Sequence, residues 1–284
     1  MLTIQANAKI NLYLDIMGVL ENGYHKLAMI MQSISLCDTL FIEPSDGLEV
    51  ECPGVLQEEN SAYLAARRFF SKAGLFGGAR IRIIKRIPAK AGLGGGSADA
   101  AAALMGLNHL YGRPLSPAQL AEIAMSIGAD VPFFLEGGCR QCLGIGEILS
   151  PLANNLPACF LVVQPEQGVS TPQAYQKYDE IGGSHGSLAR CRQALALGNF
   201  DAFLGATANS LERAAVALCP GIAQALEFLR QFTPCAFMTG SGSACVGLFL
   251  EEGSAQAALS AAKKRFPFAQ IARSTKNSLT ILDE

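Results

Sequence analysis

The segment Pro88-Ala89-Lys90-Ala91-Gly92-Leu93-Gly94-Gly95-Gly96-Ser97-Ala98 limits what this chain can fold into more than any other stretch. Before it, Ile81-Arg82-Ile83-Ile84-Lys85-Arg86-Ile87 is a β-branched run that predicts a strand. After it, 100–111 predicts a helix with Leu104, Leu107 and Leu110 or Tyr111 on one face. Glycines at the start of a helix let successive backbone N–H groups converge with no Cβ in the way. The helix N-terminus adds unpaired donors and about half a positive charge. Strand, glycine-rich turn and helix in that order make a phosphate cradle. Two common phosphate loops do not fit it. A Rossmann fingerprint anchored at Gly92 and Gly94 needs glycine or alanine where Ser97 stands. A Walker A loop carries its lysine after the glycines, whereas Lys90 precedes them.

Because 50% of the 284 residues are hydrophobic and only 16% are charged, a large core is available, enough for two domains or one large one. The net charge of −2 provides no general basic field for nucleic acid, so an anionic ligand must be held by a local site. No run of 18 apolar residues and no charged leader segment occurs, so neither a membrane span nor a signal peptide is expected. Nine scattered cysteines read as reduced thiols of a cytoplasmic protein. Cys139 and Cys142 form one CxxC pair, two of the four ligands that structural zinc requires, and His25, His109 and His185 are too dispersed to complete it.

Residues 6–17 alternate, with Ile10, Leu12, Leu14 and Ile16 on one face and Lys9, Asn11, Tyr13 and Asp15 on the other. Strands are expected at 27–36, 39–43 and 48–52, broken at Cys37-Asp38 and at Pro44-Ser45-Asp46-Gly47. Asn60 is placed to cap a helix over 61–73 that stops at Gly74, and Ser116-Pro117-Ala118-Gln119 is a capping box for a helix ending at Gly128. A second half begins near 151–157, with strands at 159–163, 236–238, 244–250 and 269–273 and a helix at 254–265. Gly183-Ser184-His185-Gly186 reads as a loop. The pattern is α+β, in two halves that each carry a glycine-rich loop, which points to a ligand held between them.

Three further segments carry chemistry. Lys9 and Asn11 lie about 6.6 Å apart on one strand face. Asp130, in Gly128-Ala129-Asp130-Val131-Pro132, is open to two readings, a turn or N-cap residue and a catalytic carboxylate. Gly240-Ser241-Gly242-Ser243 is either a tight hairpin or part of a site. Together, Ala8-Lys9-Ile10-Asn11-Leu12, Gly23-Tyr24-His25, the 88–98 loop, Gly128 to Pro132, Gly144-Ile145-Gly146-Glu147 and Thr239-Gly240-Ser241-Gly242 resemble the motifs of the GHMP kinases over nearly the whole chain.

The resemblance implies a two-domain fold. An N-terminal ribosomal-protein-S5-like nucleotide-binding domain would span 1–155 and a C-terminal ferredoxin-like α+β domain 156–284. It implies ATP and Mg²⁺ as cofactors, with the phosphates on residues 88–98 and the adenosine towards Lys85 and Asn60. Asp130 would accept the proton of a substrate hydroxyl, with Lys9 beside it. The branch most similar phosphorylates a cytidine-diphosphate-linked polyol; Tyr24 and Tyr175 would sandwich its cytosine, His25 would bond the ring's edge, and Asn11, Gly240, Ser241 and Gly242 would complete the substrate site. The metal's protein ligands are left open, and a monomer or weak homodimer is expected. Two other readings stay open: another small-alcohol kinase of the same superfamily, such as a mevalonate or homoserine kinase, and a nucleotide-binding regulatory module without turnover.

Overall fold

A computed structural model describes residues 1–283. Two long strands, β1 (Leu2–Val19) and β2 (His25–Ser45), open the chain and are followed by a short β3 (Glu49–Glu51). Next come α1 (Ser61–Ala73), β4 (Gly78–Ile84), α2 (Gly95–Leu110), α3 (Pro117–Ile127), α4 (Val131–Glu136) and the hairpin of β5 (Cys139–Gly144) and β6 (Ile148–Pro151). Strand β7 (Cys159–Gln164) leads into helices α5 (Thr171–Ile181), α6 (Leu188–Leu197), α7 (Phe200–Leu204), α8 (Glu212–Leu218) and α9 (Gly221–Arg230). The chain closes with β8 (Ala236–Met238), β9 (Cys245–Phe249), α10 (Glu252–Ala262), β10 (Phe268–Arg273) and β11 (Leu279–Asp283).

The first sheet has the order β11-β1-β2-β4-β3, with β5 and β6 beside the first half of β2. Strand β2 changes partner along its length, pairing with β5 over 27–32 and with β4 over 39–45. The break expected at Cys37-Asp38 does not occur. The register with β1 slips there instead, from Asn7↔Cys37 to Ala8↔Ile34, as a bulge. Asp38 is a turn-type residue by composition, but its carboxylate accepts from the backbone N–H groups of Arg86 and Ile87 at 2.5 and 2.8 Å, so a tertiary contact uses it.

Helix α1 starts at Asn60, whose Oδ1 accepts from Ala62 N, and stops at Gly74 in the left-handed region. Helix α3 has its capping box. Helix α2 begins at Gly95, five residues before the apolar pattern does, because Gly94 supplies a left-handed cap. Its residues 98–104 are buried on every side, which is why the period is weak there.

The second sheet has the order β10-β7-β9-β8 with every neighbour antiparallel, the βαββαβ arrangement of a ferredoxin-like lobe. One amendment to the division at 155/156 is required: β11 crosses back and pairs with β1 in the first sheet. The polar face read on β1 is also not a solvent face. Asn11 and Asp15 are buried under the second lobe, through Thr239, Ser210 and His185, while Lys9 is buried between the glycine loop and Asp130.

Candidate active site

The glycine-rich segment between β4 and α2 is held from two sides. Lys9 N–H donates to Leu93 O at 3.0 Å, and the N–H groups of Ser243 and Ala244 donate to Lys90 O and Ala91 O at 3.2 and 3.1 Å. Gly92 and Gly240 meet backbone to backbone: a Cβ on Gly92 would lie 2.3 Å from Thr239 O, and one on Gly240 would lie 2.7 Å from Gly92 O. The second glycine loop is thus the seat of the first. Gly94 ends the segment with φ 74° and no side-chain cap, leaving the first-turn N–H groups of α2 as an anion site. A Cβ on Gly94 would meet the Phe134 ring at 2.6 Å and Lys9 Cγ at 3.2 Å, whereas Gly96 has only Ser61 Oγ, at 3.5 Å. Packing demands glycine at 92 and 94; the face of Gly96 is open.

Lys9 is 4% exposed, and its Nζ donates to Asn11 Oδ1 at 2.6 Å and lies 3.5 Å from Asp130 Oδ2. Asn11 is fixed in turn by its N–H, which donates to Thr239 Oγ1 at 2.8 Å. Asp130 occupies the N-cap position of α4 but makes no capping bond, and its side chain is 35% exposed. The turn reading therefore accounts for where Asp130 sits and not for what its carboxylate does, since that group faces Lys9. Phe133 and Phe134, both buried in α4, anchor it, each contributing on the order of 1.5–3 kcal/mol.

Towards α1, Lys85 Nζ bridges Asp38 and Asp99, the latter at 2.6 Å. Burial opposes the charge on Lys85, but Asp99 and then Asp38 outweigh it and raise its pKa. Burial, aided by Asp38 against Lys85, pushes the Asp99 carboxyl up to about 7. Asp99 Oδ1 is buried without a partner, and a protonated carboxyl costs less there than a charged one.

At the other end, His25 stacks on Tyr175 with centroids 4.8 Å apart, meets Tyr178 edge-on, and binds Asp179 Oδ1 through Nε2 at 2.7 Å. Tyr24 projects outward, 60% exposed. Tyr24 and Tyr175 line the same cavity, and the imidazole covers a face of Tyr175. Burial, then the charge of Asp130, holds the Tyr175 hydroxyl well above its ordinary pKa. Thr171 and Ser241 join their hydroxyls at 2.8 Å, pinning the start of α5 to the second glycine loop. One cavity of about 890 Å³ runs past Lys9, Asp130, Asp99 and both glycine loops, from Cys52, Asn60 and Lys85 to Tyr24, His25 and Tyr175.

The family model for the GHMP kinases N terminal domain matches residues 60–138, and that for the GHMP kinases C terminal region matches 191–267. The 4-diphosphocytidyl-2-C-methyl-D-erythritol kinase of Desulfitobacterium hafniense (strain Y51) is 41% identical over 255 residues, 88% of this chain and 88% of the relative. That of Deinococcus radiodurans is 39% identical over 269 residues, 92% of this chain and 89% of the relative. This chain belongs to the 4-diphosphocytidyl-2-C-methyl-D-erythritol kinase family. A crystal structure of 4-(cytidine 5'-diphospho)-2C-methyl-D-erythritol kinase matches its fold with a TM-score of 0.82 at 37% identity, over 95% of this chain and 98% of that one. A homoserine kinase from Cytophaga hutchinsonii shares the fold alone, with a TM-score of 0.76 at 17% identity over 99% of this chain and 97% of that one.

In this member of the 4-diphosphocytidyl-2-C-methyl-D-erythritol kinase family, nearly all residues singled out from the sequence line that cavity. Two do not. Ala98 is fully buried inside α2, and Gly242 turns its Cα towards Met238 and Ile222. Four residues were missed: Asp38, Asp99, Asp179 and Thr171. For the first two a signal existed, a single carboxylate set in Leu36-Cys37-Asp38 and in an alanine run, where only a partnered charge is tolerated. Asp179 and Thr171 lie in an ordinary polar helix and gave none.

Proposed function

We propose that this chain transfers the γ-phosphoryl group of ATP to the 2-hydroxyl of 4-diphosphocytidyl-2-C-methyl-D-erythritol, giving ADP and the 2-phosphate in the non-mevalonate route to isoprenoid precursors. The observation that carries the reading is the Lys9–Asp130 pair, 3.5 Å apart, in the same cavity as the glycine loop and the His25–Tyr175 stack. A binding module needs no such pair.

Phosphoryl transfer requires alignment and positive charge more than covalent help. The bond from the substrate oxygen to phosphorus forms as the bond from phosphorus to the bridging oxygen of ADP breaks, and the hydroxyl proton passes to Asp130. A carboxylate is a weak base, which suffices when that proton leaves late. Asn11 holds Lys9 where its ammonium can offset charge on the reacting oxygens, and the N–H groups at the start of α2 receive phosphate. Asn60, Lys85 and Asp99 form the end that takes the adenosine; His25, Tyr175 and Tyr24 form the end that takes the cytosine. Among the described residues no three His, Cys, Asp or Glu side chains gather into a metal cage. Asp130 and the Ser97 hydroxyl are cavity oxygens that suit Mg²⁺, a hard cation that keeps water and phosphate oxygens as most of its ligands. Bound there, Mg²⁺ would neutralise charge on the ATP phosphates. We place the enzyme in the cytoplasm as a monomer or weak homodimer.

ADP release measured with 4-diphosphocytidyl-2-C-methyl-D-erythritol, mevalonate and homoserine in turn tests the reading. Turnover is expected with the cytidyl alcohol alone. Turnover of either other alcohol, with none of the cytidyl compound, would overturn it.

A further inference from the structure

We infer that Asp179 is a positioning residue: by accepting the Nε2 proton of His25 it leaves Nδ1 as a bare acceptor, and so makes the site select a 4-aminopyrimidine over a 4-oxopyrimidine. The inference rests on the reading of the substrate as a cytidyl compound.

A neutral imidazole carries one proton, and the partner of one nitrogen decides the role of the other. His25 has two fixed constraints. Its ring plane is set by stacking on Tyr175, at 4.8 Å and 27°, and by the edge of Tyr178 at 6.1 Å. Stacking alone does not stop the ring from turning over or its proton from changing nitrogen. The Asp179 carboxylate, 2.7 Å from Nε2, does both, because an ionised carboxylate can only accept. The neighbouring cation does not compete for it: Lys177 Nζ is engaged with Glu180 at 2.6 Å. The His25 side chain is 13% exposed and lines the cavity, so a wrongly matched group opposite Nδ1 would be poorly rehydrated.

The chemistry follows from the two bases. Cytosine carries at C4 an amino group that donates, and uracil an oxygen that accepts. A bare Nδ1 pairs with the first and repels the second. Were the proton free to move to Nδ1, the same ring would accept either base. Asp179 touches no substrate in this scheme; it acts through His25.

Two measurements on the protein as it stands, made at one fixed pH, decide the matter. The ¹⁵N spectrum of histidine-labelled protein, with His25 assigned by its loss in His25→Gln, is expected to show a protonated Nε2 and a pyridine-like Nδ1. In Asp179→Ala those shifts are expected to move towards a mixture of the two forms. Calorimetry with CMP and UMP is then expected to show the preference for CMP falling about tenfold in Asp179→Ala, the scale of one charge-assisted hydrogen bond at a partly exposed site, with ATP affinity unchanged. An unchanged His25 spectrum in Asp179→Ala, or a changed spectrum with an unchanged CMP preference, would overturn the inference. If the wild-type protein itself showed no preference for CMP, the cytidyl reading would fall, while the spectrum would still judge the effect of Asp179 on His25.

Discussion

Asp130 is an N-cap residue that does not cap, and its freedom from that bond leaves its carboxylate available for the proposed role of base. Asp130→Asn keeps the shape and removes the proton acceptor, so kcat is expected to fall about 10²-fold or more, the usual cost of losing a general base. ATP affinity, measured by calorimetry, is expected to stay near the wild-type value. The glycines of the loop separate into two kinds. At Gly94 a side chain meets the Phe134 ring and must also adopt φ 74°, so Gly94→Val is expected to lower the melting temperature. At Gly96 the backbone carries no such constraint and the nearest obstacle is 3.5 Å away, so Gly96→Val is expected to fold normally and lose ATP affinity by blocking the approach to the backbone. Equal loss of folding in both variants would mean that the loop is glycine-rich for packing alone.

Elements with a local cause were legible in the sequence, and those with a tertiary cause were not. The Asn60 cap, the box at Ser116 and the stops at Gly74 and Gly128 are each settled within four residues, and the helices they bound lie where the sequence places them. The continuity of β2 depends on what approaches from elsewhere, since Asp38 is taken up by the backbone N–H groups of Arg86 and Ile87. The site was legible to the same extent: Lys9, Asp130 and the loop stand in short motifs, whereas Asp38 and Asp99 gain meaning only when β2, β4 and α2 bring them onto Lys85. That junction has a pH signature. Because the Asp99 pKa is raised in the folded state, the native protein binds more protons than the unfolded chain between about pH 4 and 7, and stability declines as pH rises across that window. Asp99→Asn carries no titrating group there. Denaturant midpoints at pH 5 and pH 8 should therefore favour the variant relative to wild type more at pH 8 than at pH 5; a constant difference would place the proton elsewhere.

The two lobes are joined along β1, and the join has a charged centre. Asp15 accepts from Tyr13 Oη at 2.9 Å, Ser210 Oγ at 2.7 Å and His185 Nδ1 at 2.6 Å, which gives the Gly183–Gly186 loop a structural duty. Burial would raise the pKa of Asp15, but the bonds from Ser210, His185 and Tyr13 outweigh it and hold the carboxyl below its ordinary value. Its stabilisation is present above the unfolded value of about 3.9 and is lost as pH falls through the lower folded one. Asp15→Asn is expected to be less stable than wild type at pH 7, with the gap closing below about pH 4 in the same denaturant titration. A gap that did not shrink at all as pH fell below about 4 would show that the loss comes from packing and not from charge. Strand β11 completes this join from the other side, pairing with the start of β1. On a ribosome, β1 emerges long before β11 and must wait with that edge bare until residues 279–283 are made. The strand that carries Lys9 is therefore made long before its edge is closed, so nascent chains stalled before residue 279 should be caught more readily by chaperones that bind exposed strand edges than chains that already include residues 279–283.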